Sequence, residues 1–428
     1  MNIIINDTND NIGGIEVMFM EMANYLTSIG HNVYFIVNGS SIYEKKLINC
    51  KNIFFVKSKH FGLVEYMSSK ELREEKEVVL SQLNLKEEYY VISPYFQKLQ
   101  YVMAVFNSSR NFKLINLWPH PEDWARQSKL IPTKAFTKKI NKTPKYFYQR
   151  NLLRILDTKN ANYYAARAVP VFNNWYYSIA LNPINIETLP IQSLKESPKN
   201  FNDKRYNNVI KVLWCGRFDY FKNEAIIEVS KTLNSLAKIT KYKIEYGIIG
   251  YGNEVNTNYI KQNVESDNIE IRYYGKVNPE DLFKVFKEYD IGVGMGLTVK
   301  KMAQVGLPAI VVDSFEIETE HKKNCNWLFD TSEGDAGDGY YYRIANEVIK
   351  NRQELSDVLS EVIENPYLLE EYSKRCLEYV EKYYSFEKQV QAILETAMNS
   401  TFFADDYPIF RRNIIFRFMY RVYKRLGR

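Results

Sequence analysis

Between Val212 and Pro308 the chain repeats one arrangement four times: an apolar, β-branched run followed at once by a short glycine-bearing or polar element. The elements are Gly216-Arg217-Phe218-Asp219-Tyr220-Phe221-Lys222-Asn223, Ile248-Ile249-Gly250-Tyr251-Gly252, Tyr274-Gly275-Lys276-Val277 and Gly306-Leu307-Pro308. Unbroken apolar runs of this kind suit strands buried on both faces, and the loops at their ends are where an α/β sheet meets its ligands. Helix-like stretches separate them. The series therefore predicts a nucleotide-binding α/β half whose ligand is negatively charged.

Strand–helix alternation extends to the rest of the chain. At the N-terminus Ile3 to Ile5 forms a short strand and residues 6–14 a polar loop ending in Gly13-Gly14. Ile15, Met18, Phe19, Met22, Leu26 and Ile29 then recur at helical spacing before Gly30-His31 and the strand from Val33 to Val37. Further short strands are expected at 53–56, 90–92, 114–117, 169–172 and 186–190. The turn-rich stretch from Lys195 to Asn208 reads as a linker. Beyond it, strands are expected at 210–214, 244–249, 269–273, 291–293 and 309–312, with helices over 224–237 and 279–288. Asn278 and Pro279 suit the N-cap and first position of the second of these. Residues 342–397 are helical in pattern, broken at Asn365-Pro366. At 428 residues two domains are the natural division. The fold class is α/β, with Rossmann-like domains at 1–195 and 206–385 and a helical C-terminal segment at 386–428.

Arg217 and Lys222 stand five residues apart in the loop after the 210–214 strand. An Arg there can clamp one phosphate bidentately while a Lys serves another as a point charge. Gly216 lets backbone approach the ligand. Gly250 and Gly252 permit a tight turn beside a ligand, or only a turn. Gly292, Gly294 and Gly296 leave little side chain at the end of the 291–293 strand. The helix after them, near 298–305, would aim its N-terminus and Thr298 at the same crevice. A ligand-free glycine loop is the alternative.

These residues resemble the donor-binding half of the GT-B glycosyltransferases, the large group that includes sucrose and glycogen synthases and many bacterial polysaccharide enzymes. The shared pattern is G-R-x-x-x-x-K at Gly216, Arg217 and Lys222, and I-I-G-x-G at Gly250 and Gly252. It continues with Gly275 and Val277, with Asp290-Ile291, and with Gly306 and Pro308. The 324–329 segment is similar to the group's N-G-x-L-F stretch, Tyr384-Ser385-Phe386-Glu387 to its last aromatic turn. Gly13-Gly14-Ile15-Glu16 and Gly30-His31-Asn32-Val33 resemble its opening motifs. The likeness is strong over 210–330 and thin over 40–165.

The resemblance implies two Rossmann-like domains facing across a cleft, a nucleotide-sugar donor, hexosyl transfer with retention of configuration, and no cofactor or metal ion. It implies that Arg217 and Lys222 hold the donor diphosphate and stabilise the departing nucleoside diphosphate. Gly13 and Gly14 would face the donor from the N-terminal domain. His120, in Trp118-Pro119-His120-Pro121, would touch the donor sugar, although a proline-flanked loop His serves structure equally well. One departure stands out. The group brackets its glycine loop with two glutamates eight residues apart, and here those places fall on Val293 and Lys301. An ammonium accepts no hydrogen bond from a ribose hydroxyl, so Lys301, or its neighbour Lys300, would instead reach a phosphate. The departure points to an altered donor contact or to lost activity. A catalytically inactive nucleotide-sugar-binding partner of a glycosyltransferase is the alternative function, and a sugar-nucleotide epimerase a further one.

After Asp406 the chain has no acid, while Arg411, Arg412, Arg417, Arg421, Lys424, Arg425 and Arg428 are basic. On a helix, Ile414, Ile415, Phe418, Met419, Val422 and Leu426 share one face and Arg417, Arg421, Lys424, Arg425 and Arg428 the other. That pattern suits an anionic membrane surface bound through 410–428, or a helix folded back on the N-terminal domain. A lipid-linked oligosaccharide acceptor in capsule or O-antigen synthesis fits the first, as does a cytoplasmic, peripheral place on the inner face of the membrane. The net charge of +6 is spread too evenly for nucleic acid. The four cysteines and four histidines have no metal-ligand or redox spacing. No signal peptide is recognisable and no apolar run is long enough to span a bilayer.

Overall fold

The computed structural model describes residues 1–7, 14–39, 41–60, 64–126, 142–181, 208–313, 323–335, 337–347, 349, 351–412 and 417. The expected strand at 186–190 and Gly13 lie outside them, as do the linker apart from Asn208 and the amphipathic tail apart from 410–412 and Arg417. The chain divides into two compact units, Met1–Pro190 with Glu387–Arg428, and Ile191–Phe386.

The first unit is built on a parallel sheet of β1 (Asn2–Ile5), β2 (Asn32–Val37), β3 (Ile53–Lys57), β4 (Tyr89–Pro94), β5 (Phe112–Trp118) and β6 (Asn162–Tyr164), in the order β3-β2-β1-β4-β5-β6. Its central strands are covered on both faces, whereas edge strand β3 leaves Phe54 exposed. Ile3, Ile4 and Ile5 are wholly buried, which is why these runs are apolar without alternation. Helix Gly14–Ser28 buries Met18, Phe19, Met22 and Leu26 as their spacing predicts, with Ala23 beside them, whereas Ile29 lies beyond its end and is exposed.

The strand expected at 169–172 is instead the start of helix Ala168–Tyr177. Ala168, Val169, Phe172 and Tyr176 are buried on it, and Pro170 sits in its first turn, where a missing N–H is harmless. The strand is β6, a short polar–aromatic segment with no apolar run to reveal it. Residues from 387 onward group with the first unit because they bond to its sheet. Leu114 N–H donates to the Phe402 carbonyl at 3.0 Å, and Ser400 Oγ donates to the Leu114 carbonyl at 2.8 Å.

Two cations that precede the amphipathic face of the tail are engaged on this unit. An Arg411 guanidinium N–H donates to the Met67 carbonyl at 2.8 Å, and Arg412 pairs with Glu65 at 3.3 Å. They lock the start of the tail onto the protein rather than adding to a free basic face.

The second unit holds β7 (Val209–Cys215), β8 (Lys243–Ile249), β9 (Glu270–Gly275), β10 (Ile291–Gly294), β11 (Ala309–Val312), β12 (Lys323–Trp327) and β13 (Gln353–Glu354). The order is β13-β12-β11-β10-β7-β8-β9, with β12 and β13 antiparallel to their neighbours. Strand order reverses at β7: β8 and β9 lie on one side, β10 and β11 on the other. At such a reversal the loops leaving two adjacent parallel strands part and open a crevice. Four helices, Leu355–Glu364, Leu368–Tyr383, Pro279–Lys287 and Tyr220–Ala237, complete most of the cover. Tyr220–Ala237 starts four residues earlier than its apolar spacing suggests. Asp219 is extended there, and its carbonyl accepts from the N–H groups of Lys222 and Asn223 at 2.8 and 3.1 Å. Lys222 therefore belongs to a helix turn and not to a loop. Cys215, Cys325 and Cys376 are buried free thiols, whereas Cys50 is only half-buried.

Candidate functional site

The carboxyl ends of β7 and β10 lie side by side, with Val293 in register with Trp214. One residue further on, Gly294 faces the Cys215 carbonyl. A Cβ at Gly294 would meet only that oxygen, at 3.5 Å. Gly296 has φ +69° and open space where a Cβ would stand, so its backbone conformation is what requires glycine. It begins helix Leu297–Gln304, one residue before the predicted start, with Thr298 half-buried in the first turn. The chain at the end of β10 is thus bare backbone, without side chains at Gly294 and Gly296.

Donors line one side of the crevice. Trp214 is fully buried, and its indole N–H has no acceptor among the described residues. A Cβ on Gly216 would lie 3.4 Å from that nitrogen and 3.9 Å from Lys222 Nζ. A ligand oxygen near that point comes within reach of both donors. A buried N–H left without a partner is costly, and a bound anion would remove the cost. Lys222 is half-buried, and desolvation lowers its pKa; Asp219 pulls it back up and Arg217 pushes it further down. Arg217 is 62% exposed, its Nε donating to Asp219 Oδ2 at 2.7 Å.

The Cys215 thiol is pushed up to about 12 by burial, against the opposing pull of Lys222 and Lys301. Lys300 does not join them. Its side chain is buried, with Nζ 4.0 Å from the centre of the Tyr384 ring. Burial lowers its pKa to about 8 against the pull of Asp338, Asp335 and Glu333. Successive helix positions differ by about 100°, and Lys301, the next residue, is only half-buried.

Behind the same helix lies a buried ionic network. Arg352 holds Asp313 with Nη2 to Oδ1 at 2.6 Å and Nε to Oδ2 at 3.1 Å. The same Nη2 donates to Asp335 at 3.0 Å, and the Gly339 and Gly337 N–H groups donate to Asp313 and Asp335 at 3.0 Å each. The network pins the 334–339 loop against Met295 and Val312, which a Cβ on Gly337 would strike. These partners lie far apart in sequence and form no motif, so sequence reasoning missed them. Trp214 reads in the sequence only as a strand residue, and Cys215 only as a thiol without metal or redox spacing.

Gly250 and Gly252 have a different reason to be glycine. A Cβ on Gly250 would overlap the Gly216 carbonyl and the Phe218 ring, and one on Gly252 the Phe218 backbone. Phe218 N–H donates to the Tyr251 carbonyl at 2.8 Å, and Gly250 N–H to the Gly275 carbonyl at 3.0 Å. Phe218 therefore fills the space over these glycines and ties the β8 loop to the β7 loop.

Two predicted residues belong to the first unit. His120 N–H donates to Asp123 Oδ2 at 2.9 Å, and its Nδ1 accepts from the Glu122 N–H at 3.3 Å. In the neutral ring this leaves the proton on Nε2, and the His120 turn leads into helix Asp123–Arg126. Gly14 is exposed at the first position of its helix.

No protein-family model matches the sequence, and no curated protein matches it. The fold, by contrast, is shared with solved structures along nearly the whole chain. A glycosyltransferase from Rickettsia africae aligns with a TM-score of 0.59 at 13% identity, covering 92% of this chain and 97% of the other. A variant of S. aureus TarM, solved with fondaparinux, α-GlcNAc-glycerol and UDP, gives 0.57 at 10% identity over 93% and 99%. The lipopolysaccharide outer core galactosyltransferase WaaB gives 0.55 at 12% identity over 93% and 99%. At these identities the likeness is one of fold. The chain has the GT-B fold, with α/β units on parallel-rich sheets and helices at the C-terminus.

Proposed function

We infer that this protein is a glycosyltransferase that moves a hexose from a nucleotide-sugar donor to a lipid-linked glycan, with retention of configuration, in bacterial surface polysaccharide synthesis. The observation that carries this is the meeting of Lys222 and the unsatisfied Trp214 N–H beside Gly216, at the β7/β10 strand reversal of a GT-B fold. Cations and an oriented N–H over a glycine floor suit a diphosphate. Lys222 and the exposed Arg217 would offset the charge that builds on the departing nucleoside diphosphate, so side chains rather than a metal ion take that task. Gly216, Gly294, Gly296 and Thr298 would let the diphosphate approach the backbone. Gly250 and Gly252 would act indirectly, by seating Phe218. Gly13, Gly14 and His120 are assigned to the sugar side. Binding of UDP by TarM and the galactosyl transfer in WaaB's name support this class of donor. The basic tail supports a peripheral place on the cytoplasmic face of the membrane.

The absence of a carboxylate at Val293 and Lys301 favours a second reading, a nucleotide-sugar-binding partner without turnover. A thermal-shift screen over nucleoside diphosphates and their sugars tests the binding both readings share, because a ligand of the folded state raises Tm by mass action. The expected result is a rise with at least one nucleotide, blunted in Arg217→Ala and Lys222→Ala. No response to any of them would refute the donor site. Release of nucleoside diphosphate in the presence of lipid-linked acceptor then separates the enzyme from the inactive partner.

A further inference from the structure

The net charge of +6 hides two concentrations of positive charge. Residues 124–156 carry nine Lys and Arg and no acid, and residues 407–428 carry seven and none, so the rest of the chain is net acidic. Aliphatic residues such as Leu130, Ile131 and Ile140 interleave the first run, as Ile414, Ile415 and Val422 do the second. The runs lie far apart in sequence, yet they meet in the first unit. Helix Pro144–Thr158 belongs to the first run. Its Tyr148 packs on the second, with ring centres 5.0 Å from Tyr407 and 5.2 Å from Phe410, and its Oη donates to the Pro408 carbonyl at 2.6 Å. Lys145 and Arg412, one from each run, both pair with Glu65, at 3.2 and 3.3 Å. That shared carboxylate offsets the repulsion between two basic segments held so close. The helix buries Tyr146, Leu152, Leu153 and Leu156, and Phe147, Arg150, Asn151 and Arg154 share the opposite face at helical spacing. Phe147 is 45% exposed. Asn151, Arg154 and Lys142, ahead of the helix, are exposed too, and Arg150 is half-buried. Asp157, the one acid of the helix, accepts from Tyr164 Oη at 3.0 Å.

We propose that this helix face, through Phe147, Arg154 and the neighbouring Lys142, is a second contact with an anionic lipid surface, fixed beside the root of the basic tail. The proposal rests on the peripheral-membrane reading above and deepens it: the partner is acidic phospholipid, and the tail is not its sole contact. A phenyl ring exposed among cations is unfavourably hydrated in water. At a bilayer it enters the acyl boundary while the cations meet the headgroups. Aliphatic residues in both runs suit acyl chains, whereas a nucleic-acid surface would favour aromatic platforms for stacked bases. Because residues 407–412 are held on the helix, binding by one run makes binding by the other intramolecular, and the two affinities reinforce each other.

The test is co-sedimentation of the full chain, at fixed ionic strength, with vesicles of phosphatidylcholine alone and of phosphatidylcholine mixed with phosphatidylglycerol. Binding should require the anionic lipid. Lys142→Ser combined with Arg154→Ser should weaken it about tenfold or more, at roughly fivefold per cation removed. Phe147→Ser should weaken it about fivefold or more, whereas Phe147→Leu should bind like the parent. All these side chains are exposed, and an unchanged Tm excludes a folding defect. A tail variant, Arg421→Ser with Lys424→Ser and Arg425→Ser, serves as the comparison. If the helix variants bind like the parent while the tail variant loses binding, the proposal is overturned and the membrane reading stands. Tighter binding of single-stranded RNA than of the mixed vesicles, lost in the same helix variants, would make this a nucleic-acid face and also overturn it. If the unaltered chain ignores the mixed vesicles, the membrane reading fails, and this proposal with it.

Discussion

Replacing Lys222 by Met separates the stability of the candidate site from its function, because the two should move in opposite directions. Burial lowers the Lys222 pKa despite the opposing pull of Asp219. A lysine whose folded pKa lies below its unfolded value binds fewer protons when folded, so its charged form opposes folding at pH 7, and stability recovers only as pH rises through the window between the two values. Met fills nearly the same volume without that charge. The ligand-free variant should gain about 1 kcal/mol, or about 2–4 °C in Tm for a unit of this size. The anion site should lose a charge-assisted bond of about 2 kcal/mol, a roughly thirtyfold rise in Kd. Ligand at 100 times the original Kd stabilises the unaltered protein by about 2.7 kcal/mol and the variant by only about 0.9 kcal/mol. Differential scanning calorimetry with and without nucleoside diphosphate reads both quantities. A ligand-free Tm that falls by more than about 2 °C would show that Lys222 has a structural partner. An unchanged ligand shift would remove it from the site.

Gly250→Ala should cost about 1–3 kcal/mol in urea unfolding through overlap with Phe218 and the Gly216 carbonyl, partly recovered by adding Phe218→Leu. Unaltered stability with weakened nucleotide binding would restore the ligand-approach reading of that glycine. Burial, then Asp335 and Asp313, push Asp338 up to about 7 from 3.8. The folded state keeps a proton that the unfolded chain releases, and stability falls as pH rises through that interval. Asp338→Asn should flatten this slope, matching the parent near the lower limit and exceeding it by about 2 kcal/mol at pH 7.5, allowing for residual solvent access; parallel urea midpoints across the interval would count against it. Deleting residues 413–428 while keeping the Arg411 and Arg412 anchors should reduce binding to anionic liposomes more than about tenfold, at about 1 kcal/mol per basic residue at the surface. Undiminished co-sedimentation would take the tail out of membrane binding.

The amino-acid order alone determined the α/β class, most strands of both units, and the grouping of Gly216, Arg217 and Lys222 at the end of β7. A parallel strand covered on both faces must be apolar throughout, and the glycine or polar residue that follows it is visible in one dimension. Segments without that signature escaped. β6 at Asn162–Tyr164 is polar and aromatic, and the apolar run after it proved to be a helix, because four apolar residues do not reveal their period. The rest was decided by tertiary structure. Strand order sets β10 beside β7 and so joins Gly294 to Cys215 across nearly eighty residues of chain. Helix phase buries Lys300 against Tyr384 and leaves Lys301 half-buried, a choice two adjacent lysines cannot announce. Close packing made Phe218 the reason for Gly250 and Gly252. Each of these depends on which surfaces meet, and a sequence read along its length records only what each residue brings to the meeting.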